Sequence, residues 1–227
     1  MMNRIFDMDN PLWRFLGKLA DLMILNILFL LCSIPIFTIG ASLTGVYYVC
    51  LKIKEQEEGY IVRNFFKSFK QNFVQSTIIW LIMLVTGALI VADFVLLYRL
   101  RATSTGTVAV MWTLLLAVTI ACSILYAIVL AYIFPLLSIC SNTTPNMFKN
   151  AFLFGTHYLF VTILVFFIHY AMFFLVVNVF TPLIIFGEGL CAVITAPMLL
   201  KIIAPHIYDP NTSEDKESVD DQGEAET

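Results

Sequence analysis

Long apolar runs separated by short polar clusters organise this chain. No Lys, Arg, Asp or Glu occurs between Ala102 and Phe148 or between Asn150 and Gly187; Ala20 to Leu51 carries only Asp21, and Gln71 to Tyr98 only Asp93. Each stretch is long enough for a helix of about 20 residues, the length that crosses a hydrocarbon core. The pattern predicts an all-α polytopic transmembrane helix bundle of five to six spans, with residues 1–208 as one helical domain and 209–227 as a disordered acidic tail. Spans are expected at Leu19 to about Ile36, from there to about Ile53, at Val74 to Tyr98, at about Val108 to Leu137, at about Tyr158 to Phe180, and at Leu183 to Ile203. The first two are hard to separate. Pro35 breaks the run and Thr38-Ile39-Gly40-Ala41-Ser42 suits a turn, yet residues 19–53 are too long for one untilted span and barely enough for two.

The polar segments add their own expectations. Met1 to Lys18, with a turn at Asn10-Pro11, reads as surface-lying, and the apolar run behind Arg4, Arg14 and Lys18 is longer than a signal-peptide core, so it reads as a retained span. Ile61, Phe65, Phe69 and Phe73 recur at four-residue steps with Phe66 beside them, while Arg63, Lys67 and Lys70 occupy the other side. That is a basic amphipathic helix, expected to lie on the cytoplasmic leaflet or to dock a partner. Thr144 reads as an N-cap with Pro145 at the first helical position, followed by a second such segment in which Met147, Phe148, Ala151, Phe152 and Gly155 line one side near Lys149. Both segments carry Asn-x-Phe-Lys, at Asn64–Lys67 and Asn146–Lys149, which leaves a parallel internal duplication open.

Composition strengthens the membrane reading: 60% of the 227 residues are hydrophobic and 13% charged, against about a quarter charged in ordinary soluble domains. The net charge of −3 is set by the tail, whose Asp209 to Thr227 contributes eight acids and one Lys, leaving twelve bases and eight acids before it. Those bases flank the spans, which fits loops facing anionic lipid and does not imply nucleic acid. Six spans with both termini cytoplasmic place eleven of the thirteen bases inside, with Arg99 and Arg101 outside. Merging the first two helices would move three more bases outside, so six spans are preferred. The five cysteines, Cys32, Cys50, Cys122, Cys140 and Cys191, show no C-x-x-C spacing and read as small buried hydrophobes.

Ionisable groups inside spans are functional candidates because burying a charge in hydrocarbon costs at least about 2.5 kcal/mol. Here they are Glu188, His169 and Asp93. Helical rise puts Asp93 and Glu188 roughly 6 to 9 Å below the outer surface and His169 near the midplane. Asp93 is expected to pair with Arg99 or Arg101, and a proton or cation pathway through Glu188 and His169 is the functional alternative. Asp21 and Asn26, with Asn178 and the Pro35, Pro135 and Pro197 breaks, could frame a cavity or simply bond helices together. No nucleophile elbow, H-E-x-x-H, phosphate loop or metal-ligand cluster occurs, so neither an enzyme nor a cofactor is expected.

The run Leu19 to Asn26 (LADLMILN), continuing through Leu31 to Pro35 (LCSIP) and Thr38 to Ser42 (TIGAS), resembles the opening of the YesL-like family of bacterial membrane proteins. Tyr60 to Phe73 (YIVRNFFKSFKQNF) does too, with looser likeness at Tyr132 to Leu136 and Asn142 to Thr144. The family offers no agreed active site. The resemblance implies a bacterial cytoplasmic membrane location and an accessory role beside sugar importers and their sensor kinases, with a membrane or cytoplasmic protein as partner in addition to the lipid bilayer. No E-A-A-type loop of a permease is present. Two readings follow: a noncatalytic accessory protein using Arg63, Phe66, Lys67, Phe69, Lys70 and Lys149, or a small-solute or ion-coupled transporter using Glu188 and His169. Oligomeric state and substrate are not set by these residues.

Overall fold

The computed structural model describes residues 11–52, 61–179 and 181–207, and these are all-helical. Seven α-helices follow one another among them: α1 Pro11–Cys32, α2 Ile39–Lys52, α3 Ile61–Thr103, α4 Gly106–Ile139, α5 Thr144–His157, α6 Leu159–Asn178 and α7 Gly187–Ile207. Short 3₁₀ turns at Ile36–Thr38 and Thr181–Ile185 join α1 to α2 and α6 to α7. The acidic tail 209–227 and most of the expected surface segment before Lys18 lie outside the described residues.

Three helices, α3, α4 and α6, are long and apolar enough to cross a membrane. Their exteriors suit that solvent. Between residues 84 and 127 only Leu97 and Thr119 are buried, and Leu89, Leu114 and Val118 point outward. In α6, Phe160, Phe167 and Phe173 are similarly exposed. Water would penalise so continuous an apolar surface, whereas lipid tails would not.

The α3–α4 hairpin is registered by a ladder of polar contacts. Gln75 donates to the Asn142 carbonyl at 2.6 Å, Tyr126 to the Met83 carbonyl at 2.9 Å, Thr119 to Asp93 at 2.7 Å, and Arg101 to Thr113 at 3.0 Å. The core lies toward the opposite end of the hairpin from its loop, where Phe65, Ile79, Met83 and the whole of Tyr132 to Leu137 are buried with residues of α1, α2, α5, α6 and α7.

Several boundaries differ from the sequence reading. α3 has 43 residues, roughly 65 Å at 1.5 Å per residue, about twice the hydrocarbon thickness. The amphipathic segment Ile61 to Phe73 is therefore the first part of α3 and not a separate helix on the leaflet. Its apolar side has a protein partner: Phe65 is fully buried with its ring against Gly45 of α2, and Ile61 and Ser68 are buried beside it. α2 has 14 residues, about 21 Å, which is shorter than a full span. The break before it is real. Pro35 stops the helix, and the buried Thr38 hydroxyl faces the carbonyls of Cys32 and Pro35 at 2.5 and 2.6 Å, satisfying the end of α1. At α5 the N-cap is Thr143, one residue before the expected Thr144, because Asn142 Oδ1 accepts from the Thr143 amide at 2.7 Å and its backbone stays extended.

α5 and α6 form one bent rod. The bend falls at Tyr158, where Thr162 donates to the Gly155 carbonyl at 2.9 Å and meets the buried Tyr132 hydroxyl at 3.0 Å. Met147, Ala151 and Gly155 face α4, with Gly155 against Ile128 and Tyr132. The two Asn-x-Phe-Lys segments share a placement: Phe65 and Met147 are fully buried, and Lys67 and Lys149 are exposed.

Candidate functional site

α6 and α7 bring together two residues that sequence spacing left unconnected. After α6 the chain folds back alongside it through the Thr181–Ile185 turn, so α7 begins at Gly187 and not at Leu183. That delay lowers Glu188, in the first turn of α7, to the level of the eleventh residue of α6, His169. His169 Nε2 and Glu188 Oε1 are 3.8 Å apart, with side chains 33% and 21% exposed. The expected difference in depth between these groups is thereby removed. A carboxylate in a helix's first turn also lies in the favourable end of the backbone dipole field.

The tautomer of His169 follows from one bond. Nδ1 lies 2.8 Å from the Val165 carbonyl, which can only accept, so Nδ1 carries a hydrogen and Nε2 is the atom that gains or loses a proton. Nε2 faces Glu188.

Asn26 holds the other side of the arrangement. It is buried at 1% exposure, donates to the Ile184 carbonyl at 2.8 Å, and accepts from the Gly189 amide at 3.2 Å. The Gly189 amide is one of the first-turn donors of α7 that have no partner within the helix, so Asn26 caps α7 from α1. Asn26 thus fixes the start of α7, and the Val165 carbonyl fixes the His169 ring that Glu188 meets.

The pair opens into a cavity of about 340 Å³ between α2, α3, α4, α6 and α7. Leu43 and Tyr47 of α2 and Trp80 of α3 form one side; Leu130, Ala131, Phe134 and Pro135 of α4 form another; Val165 and Phe166 complete it. Trp80 Nε1 donates to the Ile36 carbonyl at 2.7 Å, and Tyr47, almost wholly buried, has Thr195 beside it. His169 and Glu188 are the paired ionisable groups on the cavity wall. Pro135, having no amide hydrogen, also withholds the helical donor from the Ala131 carbonyl, and both residues lie on the cavity wall.

The other sequence candidates are elsewhere. Asp93 lies on the α3–α4 hairpin and accepts from Thr119; among the described residues it forms no ion pair with Arg99 or Arg101, and Arg101 donates instead to Thr113. The helical register of α3 explains this, since Asp93 faces α4. Asp21 is half-buried on α1 and is engaged. Arg63, Phe66, Lys67 and Lys70 are exposed along the start of α3, Phe69 is half-buried and stacks on Phe65 at 6.0 Å, and Lys149 is exposed on α5. Pro135, one of the breaks expected to frame a cavity, does line it, whereas Tyr47, Trp80 and Phe134 escaped sequence reasoning because aromatic residues inside apolar runs carry no signal of a cavity.

Residues 22–94, covering α1 from Leu22 through most of α3, match the model of a family described as "Protein of unknown function, DUF624". No curated protein and no solved structure matches the chain. The matched stretch supplies Asn26, Tyr47 and Trp80, whereas His169 and Glu188 lie beyond it.

Proposed function

We propose that this is a multi-pass integral membrane protein whose intramembrane cavity binds a small solute, with His169 and Glu188 carrying the coupled proton or ion. The observation that carries the reading is the facing of Nε2 and Oε1 across 3.8 Å at the wall of a 340 Å³ cavity. A pocket that is mostly apolar with a few convergent polar groups is the common form of a small-molecule site. Chemically the pair can hold one proton between two sites and release it when a ligand arrives. The test is flux in liposomes containing the purified protein: a proton-linked solute movement lost in Glu188→Gln supports the assignment, and flux unchanged by that substitution removes it.

A second reading keeps the protein as an accessory component beside a partner. It is favoured by Val62, Arg63, Phe66, Lys67 and Lys70, which stay exposed after Phe65 has been covered by α2. This stripe suits anionic lipid or an acidic cytoplasmic surface. The likeness to YesL-like proteins is compatible with the matched family and points to sugar uptake or sensing, at a bacterial cytoplasmic membrane with both termini inside. In that role the carbohydrate itself would be handled by the partner, since a sugar's hydroxyls need more hydrogen-bonding groups than this cavity presents. Charge reversal at Arg63, Lys67 and Lys70 then releases a co-purifying partner while Glu188→Gln is silent; the opposite pattern favours the solute site.

A further inference from the structure

We propose that the cavity's ligand is a small organic ammonium ion that displaces the proton held by His169 and Glu188. The inference rests on the cavity being a solute site and adds the chemical class of the solute.

Hydrogen bonding sets the first constraint. Because Nδ1 donates to Val165, a neutral His169 presents a lone pair at Nε2, and an ionised Glu188 presents lone pairs at Oε1. Two acceptors facing each other repel, so the pair needs a positive charge between or on them. A proton on Nε2 provides it in the empty cavity. The 3.8 Å separation exceeds the 2.7–2.9 Å of a charge-assisted hydrogen bond. An ammonium nitrogen with at least two N–H bonds can instead donate to both atoms, and the Ala131 carbonyl, deprived of its helical donor by Pro135, is a further acceptor on the same wall.

The rest of the wall sets the second constraint. Tyr47, Trp80, Phe134 and Phe166 line the cavity with rings, and Trp80 Nε1 is bonded to the Ile36 carbonyl. Aromatic faces attract cations and cover hydrocarbon, which selects a cation with an apolar body over a sugar, a carboxylate or a hydrated metal ion. Other titratable groups near Glu188 are Tyr47 and Cys50 of α2 and Cys191 of α7, residue types whose ordinary values lie above neutral pH. The lining from α3 and α4 contains no titratable side chain.

Charge balances in the exchange. Imidazolium plus carboxylate is neutral, and binding R–NH₃⁺ with loss of the Nε2 proton leaves neutral imidazole, carboxylate and ammonium, again neutral, with one H⁺ delivered to solvent. No net charge enters the bilayer, which is what a low-dielectric site requires.

Phenethylammonium, with 2-phenylethanol and phenylacetate as neutral and anionic controls, tests this on the purified full-length protein. Isothermal titration near neutral pH in two buffers of different ionisation enthalpy gives affinity and protons released. The expected result is binding of the ammonium at least tenfold tighter than either control, with about one proton released per ligand. Glu188→Gln should weaken it at least tenfold, and His169→Gln should weaken it less while abolishing proton release; circular dichroism melting confirms that both variants fold. Equal binding of ammonium and alcohol overturns the cation assignment and leaves the solute site standing. Ammonium binding without proton release, or binding unchanged in Glu188→Gln, overturns the exchange, and no binding by any probe overturns the proposal.

Discussion

Removing the Asn26 side chain should loosen the start of α7 and, with it, the position of Glu188. In Asn26→Ala the Gly189 amide, buried and outside the reach of any carbonyl of its own helix, loses the one acceptor it has among the described residues. An orphaned buried donor costs about 1–3 kcal/mol. The Ile184 carbonyl belongs to an exposed residue and can find other donors, so its lost bond is set at the mean of about 0.6 kcal/mol measured for side-chain hydrogen bonds in bilayers. Together these give roughly 2 to 4 kcal/mol. Asn178→Ala is the matched control, since Asn178 is exposed and, among the described residues, donates only within its own helix, to Phe174 at 3.2 Å; a change within about 0.5 kcal/mol is expected there. Reversible unfolding of the purified protein in mixed micelles, followed by circular dichroism, compares the two. Equal effects of the two substitutions, or a loss below about 1 kcal/mol for Asn26→Ala, would refute the capping argument.

Three further outcomes follow from particular contacts. A Cβ at Gly155 collides with the Ile128 side chain, whereas one at Gly40 would sit 2.6 Å from the Ser76 carbonyl oxygen. Gly155→Ala should therefore cost about 1–3 kcal/mol and be largely rescued by Ile128→Ala, while Gly40→Ala should not be rescued by trimming Phe134; additive effects in the first pair would contradict this. Tyr132→Phe and Thr162→Val should each cost about 0.5–1.5 kcal/mol and show a coupling of at least about 0.5 kcal/mol in a double-mutant cycle, because the bond between them holds the bend at Tyr158. Burial pushes the Cys140 thiol up to about 11. Thiolate forms only as pH rises, so in a chain whose other four cysteines are alanine the alkylation rate of Cys140 should climb about tenfold per pH unit from 7 to 10; a rate that no more than doubles between pH 9 and 10 would show an unperturbed thiol.

The helical class and the candidate spans were legible along the chain because hydrocarbon disfavours charge along a span, and that bias is written directly into composition. The limits of α4 and α6 came within two residues of expectation for the same reason. The start of α3 did not: Ile61 to Phe73 has the amphipathic pattern of a leaflet helix, and only the fold shows that Gly45 and its neighbours on α2 take the place of lipid against Phe65.

What the local pattern determined, then, was which segments are helices and which of them are apolar enough to span, since those depend on each residue and its near neighbours. Which polar groups meet was decided by tertiary structure alone. His169 and Glu188 come together because the Thr181–Ile185 turn runs back along α6 and Asn26 reaches across from α1 to hold α7, and Asp93 goes to Thr119 because of how α3 rotates against α4. Contacts between residues far apart in the chain depend on helix rotation and on where each turn ends, and no local pattern carries either quantity.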